Sequence, residues 1–230
     1  MTADPAIARS AGAAARYDAW FESAWGAHAW AVESTAVIAS LGAQPGWRIV
    51  DVGCGTGRLF EHLLAGAAQA IGVDRDAGML DRAAVRAPGS LVRADAGRLP
   101  LADRSVDAAV AVTVLEFSTH PASVLAEMAR VTRPGGRLVV GVLNPHSPWG
   151  WADQARSRQG AWANACFLPH RQLLTLGRRH GAARLNGMLF GWRRMPRPHQ
   201  LGRPLEGLRR LAPRLGAFQL LTVDLPGAAP

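Results

Sequence analysis

The stretch Ile49-Val50-Asp51-Val52-Gly53-Cys54-Gly55-Thr56-Gly57 decides the fold, because a short apolar run leads directly into three glycines at alternate positions. Glycine lets the backbone turn sharply and approach a ligand with no Cβ in the way. A helical pattern follows at Arg58–Ala65. The stretch therefore predicts a strand, a ligand-binding loop and a helix in succession.

The spacing of the glycines argues against a nicotinamide-binding loop. A dinucleotide fingerprint reads G-x-G-x-x-G, whereas Gly57 comes one residue too early and Arg58 occupies the next position. A nicotinamide-dependent dehydrogenase is therefore a disfavoured alternative.

Short apolar runs alternate with helical patterns along most of the chain. Strands are predicted at Arg48–Val52, Ala70–Asp74, Leu91–Ala94, Val106–Val114, Arg137–Leu143, Ala183–Trp192 and Ala217–Leu225. Helices are predicted at Ala13–Trp25, Arg58–Ala65, Ala77–Arg86, Ala122–Val131 and Leu168–His180. Strands that are apolar on both faces and alternate with helices indicate an α/β fold, with a mostly parallel sheet covered on both sides. The last two strands are predicted to be antiparallel, since little helix connects them.

Composition and length narrow the class of protein. Of the 230 residues, 49% are hydrophobic and 19% are charged, which is typical of a folded globular domain rather than a disordered chain. The longest nearly apolar run, 108–117, is too short to cross a bilayer, and the N-terminus lacks the apolar stretch of a secretion signal. Cys54 and Cys166 cannot build a disulfide framework. We therefore expect a cytoplasmic protein without a transmembrane segment.

Charge is concentrated in the last third of the chain. All 26 basic residues are arginine, and residues 151–230 carry 13 of them against three acids. Such a surface can attract an anionic substrate, a phospholipid face or nucleic acid, although a solvated face is the simpler interpretation. Within it, Leu205–Leu215 has a basic amphipathic pattern that permits peripheral contact with an anionic membrane, while burial of its leucines against the sheet edge is favoured.

Carboxylates follow two of the predicted strands. Asp74 ends the second strand and Asp95 follows the third, so both lie at the carboxyl edge where open α/β sheets bind ligands. Asp74 can accept both hydroxyls of a ribose, and Asp95 can accept a hydrogen bond from an adenine amino group. Each has a structural alternative, as a helix cap or as a partner for nearby backbone amides.

Four segments together resemble a known family. Ile49–Gly57, Asp74, Arg93–Pro100 and Val114–Asn144 are similar to the successive motifs of class I S-adenosylmethionine-dependent methyltransferases, in the group that includes ubiquinone and menaquinone ring methyltransferases. The likeness covers about residues 45–145. It implies a Rossmann-like seven-stranded sheet of order 3-2-1-4-5-7-6, with the last inserted strand antiparallel. It also implies three segments of one domain: a helical lid over 1–45, a cofactor-binding core over 46–145, and a substrate-side loop, a helix and the final strands over 146–230.

The resemblance implies a site for S-adenosyl-L-methionine. Its predicted residues are Asp51, Gly53, Cys54, Gly55, Gly57, Asp74, Arg75, Met79, Asp95, Ala96, Thr113 and Val114. By the resemblance, Asp51 orients the amino group of the methionine part, and Gly53 and Gly55 pass close to it. Asp74 binds the ribose hydroxyls, Arg75 and Met79 flank the adenine, and Asp95 with the backbone of Ala96 reads its edge. Thr113 and Val114 lie beside the sulfonium.

Such an enzyme mainly aligns a nucleophile and excludes water, because the sulfonium is already an activated methyl donor. If a base is needed, the candidates after strand four are Glu116 and His120, and His146 follows strand five. Tyr17 from the N-terminal helix is a further candidate catalytic residue. Structural roles compete for each of them, as a helix start for His120 or a backbone contact for Glu116.

The acceptor is predicted to lie above strands four and five, under the N-terminal helix and the segment after Leu143. Aromatic side chains from both parts can wall an apolar cavity, namely Tyr17, Trp20, Phe21, Trp149, Trp151 and Trp162. A small aromatic or hydrophobic acceptor is favoured, although core packing is the common role of such residues.

Two further functions stay open. The basic last third suggests a nucleic-acid methyltransferase, but Val114-Leu115-Glu116-Phe117 stands where amino-methylating nucleic-acid enzymes carry Asp/Asn-Pro-Pro-aromatic. A non-catalytic module that binds the cofactor would keep the same cofactor residues. The sequence indicates neither the identity of the acceptor nor an oligomeric state.

Overall fold

A computed structural model describes residues 5–65, 69–86, 89–147, 165–190, 207 and 212–227. Its centre is a seven-stranded sheet formed by β1 (Arg48–Val52), β2 (Gln69–Asp74), β3 (Ser90–Arg93), β4 (Val106–Val112), β5 (Thr132–Leu143), β6 (Ala182–Met188) and β7 (Phe218–Asp224). The order is β3-β2-β1-β4-β5-β7-β6. The first five strands pair in parallel, and β7 lies antiparallel to both β5 and β6. The predicted Rossmann-like order and the antiparallel inserted strand are confirmed.

Helices cover both faces of this sheet, as predicted. They are α1 (Pro5–Phe21), α2 (Ala24–Leu41), α3 (Arg58–Ala65), α4 (Ala77–Arg86), α5 (Pro121–Val131) and α6 (His170–Arg178). One apolar core joins the sheet to side chains of α2 and α3, such as Val37 and Phe60. The other joins the opposite face to α5 and α6, with Met128 and Leu173 fully buried. Successive side chains of β1 point in turn into one core and then the other. The sheet, with the carboxyl ends of its strands, therefore lies between the two layers of helices.

The N-terminal segment differs from its prediction. The single helix expected over Ala13–Trp25 is wrong, since α1 ends at Phe21 and a separate helix, α2, begins at Ala24. Ser23 caps α2 by accepting a hydrogen bond from the Gly26 amide at 3.0 Å. Periodicity missed α2 because its apolar residues lie on all sides and form no stripe. The helix ends at Gly42, whose positive φ of 56° is typical of a glycine C-cap.

The bounds of three strands also differ by a few residues from those predicted. The prediction that the fourth strand continues to Val114 is wrong, because Thr113 turns into the left-handed region at a φ of 53°. Leu189, at a φ of 58°, ends β6 in the same way before the predicted Trp192. β5 is longer than predicted and begins at Thr132, where it joins β4 opposite Val106.

Two groups of predicted features fall partly or wholly outside the described residues. They are the tryptophans Trp149, Trp151 and Trp162, and most of the amphipathic stretch Leu205–Leu215. The described end of that stretch, Pro213–Leu215, forms a short 3₁₀ turn. Across the residues that the structure describes, no helix combines the length and the apolar character needed to cross a membrane.

Candidate active site

The glycine loop after β1 is fixed to the end of β2 by backbone hydrogen bonds. The amides of Gly53 and Cys54 donate to the carbonyl of Val73 at 2.6 and 3.0 Å. The Gly55 amide donates to Oδ2 of Asp74 at 2.9 Å, and the Asp76 amide donates to Oδ1 of the same carboxylate at 2.8 Å. A carboxylate offers about four acceptor positions, so Asp74 retains capacity for two more donors. The loop and Asp74 therefore lie together, as the sequence predicts.

The loop glycines serve different purposes. A Cβ on Gly53 would collide with the side chain of Val114, and a Cβ on Gly57 would lie 3.0 Å from the Cα of Ala83 in α4. These two glycines allow close packing of the protein against itself. Gly55 has a φ of 54° and nothing within 4 Å of its Cβ position, so this glycine faces open space. The open side of the loop is therefore at Gly55.

A crevice opens beside the loop, between α1, α2 and the ends of β1 and β4. Its lining includes Tyr17, Trp30, Asp51, Cys54, Arg58 and Val112. The empty space beside these residues is about 310 Å³, and this figure includes volume open to solvent. One wall is polar and the other aromatic, an arrangement suited to a ligand that carries both kinds of group.

Asp51 is the most unusual group in this crevice. Its side chain is buried, and its Oδ2 has no hydrogen-bond partner in the described part of the chain. Burial, together with the charge of Asp74, raises the pKa of Asp51 to about 7. An unpartnered buried carboxylate is costly, so a bound cation or hydrogen-bond donor would be strongly favoured at Oδ2.

The four predicted adenine contacts lie around the ends of β2 and β3. Arg75 is exposed and Met79 is half-buried at the start of α4. Asp95 is exposed and its Oδ1 accepts a hydrogen bond from the Gly97 amide at 2.7 Å, while Ala96 packs partly into the core. Asp95 therefore has the structural role that the sequence allowed, as an acceptor for a nearby backbone amide. Its carboxylate has a second oxygen as well.

The end of β4 places Thr113, Val114 and Glu116 near the loop. The Thr113 amide donates to the carbonyl of Gly141 at 2.8 Å, and Val114 packs over Gly53. Glu116 is fully buried, and its Oε1 accepts a hydrogen bond from the Leu143 amide at 2.7 Å. Burial raises the pKa of Glu116 to about 7, even though that hydrogen bond favours the charged form. Glu116 is therefore a carboxyl group poised to exchange a proton near neutral pH.

The remaining catalytic candidates, Tyr17 and the two histidines, lie in different parts of the structure. Tyr17 lines the crevice. His120 is exposed at the start of α5, where its Nδ1 lies 2.9 Å from Oγ1 of Thr119. His146 is also exposed, and its amide donates to Oδ1 of Asn144. The structure thus brings Tyr17 to the crevice and leaves both histidines at the surface.

Sequence reasoning missed the residue that holds α1 in place. Asp18 is buried and accepts hydrogen bonds from Oγ1 of Thr56 at 2.8 Å, Nε of Arg58 at 3.0 Å and Nη1 of Arg82 at 3.0 Å. Arg86 reaches the same carboxylate at 3.3 Å and also donates to the Thr56 carbonyl at 2.6 Å. We call these five residues the α1 clamp. It ties the helix that carries Tyr17 directly to the glycine loop.

Glu33 was missed as well, although a signal was present. It is the single charged residue among the 18 residues of α2, and it is buried. Burial and the nearby carboxylate of Glu116 raise the pKa of Glu33 to about 8. A single acidic residue in an otherwise uncharged helix is therefore the sequence feature that would have identified Glu33.

Comparison with known proteins agrees with this geometry. Residues 50–140 match the family described as "Methyltransferase domain". The chain is 40% identical over 105 residues to demethylmenaquinone methyltransferase of Renibacterium salmoninarum, covering 45% of this chain and 44% of that protein. An uncharacterized methyltransferase of Mycobacterium ulcerans is 36% identical over 141 residues, covering 59% of this chain and 52% of the relative. The chain therefore spans about half the length of these curated relatives.

Solved structures show the same fold. A crystal structure of an S-adenosylmethionine-dependent methyltransferase from Thermotoga maritima aligns with a TM-score of 0.70 at 23% identity, covering 91% of this chain and 95% of that one. Phosphoethanolamine N-methyltransferase 2 of Haemonchus contortus, in complex with S-adenosyl-L-methionine, aligns with a TM-score of 0.64 at 14% identity, covering 84% and 52% of the two chains. At these identities the likeness establishes the fold.

The sheet order and the loop after β1 are those of the class I S-adenosylmethionine-dependent methyltransferase fold. The sequence match to a methyltransferase domain supports the same class. Residues 50–140 of the chain match the methyltransferase domain family, in agreement with the resemblance drawn from the sequence. The comparisons give no support to the nucleic-acid alternative.

Proposed function

We propose that the whole protein is an S-adenosylmethionine-dependent methyltransferase that acts on a small aromatic or hydrophobic acceptor. The observation that carries this proposal is the buried, unpartnered Oδ2 of Asp51 in a crevice beside the open side of Gly55. The methionine part of the cofactor carries an ammonium group, which is the kind of partner that this carboxylate lacks.

The residues present fit the cofactor at both ends. Asp51 would hold the amino group, and the free acceptor positions of Asp74 would hold the ribose hydroxyls. Arg75, Met79, Asp95 and Ala96 would surround the adenine. When bound, the sulfonium supplies an activated methyl group and leaves as a neutral thioether. The protein's own contribution would be to orient the acceptor and exclude water, and Tyr17 and Trp30 are placed to help because they line the crevice.

The acceptor class rests on the aromatic wall of the crevice. Trp30 stacks on His62 with ring centroids 5.8 Å apart, and Phe21 packs edge-on against both Tyr17 and Trp30. A flat or greasy acceptor would fit against these rings. The demethylmenaquinone methyltransferases that the chain resembles are named for such a molecule, which supports the same class.

Asp51→Asn tests the proposal through binding of S-adenosylhomocysteine, measured by calorimetry. The change keeps the shape of the side chain and removes its charge, so we expect the affinity to fall about 10- to 100-fold, the range of a hydrogen bond to a charged group. Thermal stability at neutral pH should not fall, because a buried unpaired carboxylate is lost. Asp103→Asn, at an exposed site far from the crevice, is the matched control.

Two results would count against the function. One is an absence of S-adenosylhomocysteine binding by the wild type, and the other is an unchanged affinity in Asp51→Asn.

The reducing cytoplasm is the proposed location of the protein, because Cys54 and Cys166 are both unbridged in the described structure.

A further inference from the structure

Two buried carboxyl groups lie beyond the cofactor residues, where α2 passes the end of β4. Glu33 projects from the buried face of α2, and Glu116 belongs to the 3₁₀ turn Leu115–Phe117 that follows β4. One oxygen of Glu116 is held by the Leu143 amide, and the other, Oε2, is buried without a hydrogen-bond partner among the described residues. Neither carboxyl group forms an ion pair with an arginine of the described ranges. We call Glu33 and Glu116 the acidic pair.

Neither member of the acidic pair lines the crevice, but both follow lining residues closely in the chain. Trp30, which lines the crevice, lies one helical turn before Glu33, and Val112, which also lines it, lies four residues before Glu116. Desolvation of the hydroxyl, together with the charge of Glu33, raises the pKa of Tyr17. Glu33 is therefore close enough to the crevice to act on Tyr17, and Glu116 follows the strand whose Val112 lines it.

Two carboxyl groups in such surroundings cannot both be charged at neutral pH. Burial raises the pKa of each, and the charge of Glu116 adds to the effect on Glu33. Both groups therefore keep their protons to a higher pH than an exposed carboxyl group does, and the charge of Glu116 links the titration of Glu33 to its own. Other titratable groups of this region are Tyr17 from α1 and Asp51 from β1, and Arg58 reaches the crevice from α3. Cys166 lies beside the turn, because its amide donates to the carbonyl of Glu116 at 2.7 Å. Because such a pair destabilises the fold, a ligand that donates to it would be strongly favoured.

We propose that the acidic pair is the acceptor-recognition site, and that it selects an acceptor with a neutral or cationic O–H or N–H group. This inference rests on the proposed function and names its substrate class. The free oxygen of Glu116 accepts the hydrogen bond of that group and takes up its proton as the acceptor atom is methylated. The lone pair of the acceptor atom would form the new bond to the methyl carbon while the bond from that carbon to sulfur breaks and its electron pair stays on the sulfur, and the proton remains on the carboxyl group. An acceptor that carries a carboxylate or phosphate at this position is rejected by the charge of the pair.

Binding of matched small probes tests this selection. We would measure 1-naphthol, 1-methoxynaphthalene and 1-naphthoate by equilibrium dialysis at about pH 7.5, with the protein saturated in S-adenosylhomocysteine. The wild type should bind 1-naphthol at least about tenfold more tightly than the ether or the anion, because only the naphthol donates a hydrogen bond. The double variant Glu33→Gln/Glu116→Gln should lose this preference and still bind S-adenosylhomocysteine. Asp81→Asn, an exposed change on α4, should behave as the wild type.

A measurement without ligand distinguishes the effect of the carboxyl groups from a folding defect in the variants. In thermal unfolding, Glu33→Gln should become more stable relative to the wild type as the pH rises from about 5 to about 8, since the variant has no buried charge to form.

The proposal is overturned if the wild type binds the naphthol and its ether equally, if it binds none of the probes, or if its stability depends on pH in the same way as that of Glu33→Gln. If S-adenosylhomocysteine binds equally to the wild type and the double variant while the naphthol preference is unchanged, this inference alone fails. If the wild type does not bind S-adenosylhomocysteine, the proposed function fails with it.

Discussion

At the scale of single residues, the glycine loop shows how one sequence pattern can have several physical causes. Three alternate glycines predict a backbone that approaches a ligand, yet Gly53 and Gly57 approach other parts of the protein. Gly55 alone leaves open space at its Cβ position. The pattern therefore locates the loop correctly, while the reason for each glycine depends on neighbours that are distant in sequence.

Gly53→Ala should destabilise the fold through its clash with Val114. The new methyl group overlaps a Cγ of Val114, and the φ of 70° is unfavourable for alanine, so we expect a loss of about 2–4 kcal/mol in the free energy of unfolding. Chemical denaturation measures this loss. The double variant Gly53→Ala/Val114→Ala should recover part of it, and an absence of recovery would show that the clash is not the cause.

Gly55→Ala should instead affect ligand binding more than stability. Its positive φ costs about 1–2 kcal/mol, but the methyl group points into the open side of the loop. Calorimetry should therefore show at least about a tenfold loss of affinity for S-adenosylhomocysteine. A variant that loses the same stability and binds normally would place the cofactor elsewhere.

At the scale of elements, a cluster of charged side chains ties α1 to the rest of the protein. The clamp joins one carboxylate, Asp18, to three arginines from α3 and α4, and Arg58 also stacks over Phe21 at 4.4 Å from the ring centre. Burial opposes ionisation of Asp18, but the hydrogen bonds from Thr56, Arg86 and Arg58 outweigh it and lower the pKa of Asp18. The clamp is therefore charged and intact at neutral pH, and it orders both α1 and the loop.

Asp18→Asn should release α1 from the glycine loop. We expect a loss of about 2–3 kcal/mol in stability, because three guanidinium groups lose their shared carboxylate. Amide hydrogen exchange in residues 12–21 should accelerate, and S-adenosylhomocysteine should dissociate faster in stopped-flow measurements. Asp103→Asn removes an exposed ion pair with Arg130 and should cost less than about 0.5 kcal/mol. Equal exchange rates in the two variants would contradict the clamp.

At the scale of the whole molecule, the sheet order and the position of the glycine loop were predictable from the sequence, and the acidic pair was not. Motifs at the strand ends lie close together in sequence, and a parallel α/β sheet brings those ends to one edge. Glu33 and Glu116 are separated by 83 positions, and α2, which carries Glu33, lacks the periodic stripe that reveals a helix. The burial that makes these carboxyl groups unusual arises only after the layers pack.

Stability of the wild type should have an unusual dependence on pH. Burial raises the pKa values of Asp51, Glu116 and Glu33 to about 7, 7 and 8, so the folded state keeps protons that the unfolded chain has released. The free energy of unfolding should therefore fall as the pH rises from about 5 to about 8, by roughly 3 kcal/mol or more at about 1.4 kcal/mol per pKa unit. Below about pH 4 the sign reverses, because Asp18 has a lowered pKa and its clamp is lost on protonation.

Denaturation at a series of pH values measures this dependence. The optimum should lie near pH 5, and Asp51→Asn should flatten the decline above it. A stability curve that is level from about pH 5 to about pH 8 would contradict the raised pKa values.

The insertion of β7 between β5 and β6 has a consequence for synthesis on the ribosome. β5 is 12 residues long and largely buried, and its outer edge pairs with residues 218–224, which are translated some 80 positions later. Until those residues emerge, the growing chain presents an apolar edge strand that can recruit other strands. Leu143, whose amide fixes Glu116, pairs with Phe218 on that same edge, so the surroundings of Glu116 are complete only after β7 has been translated.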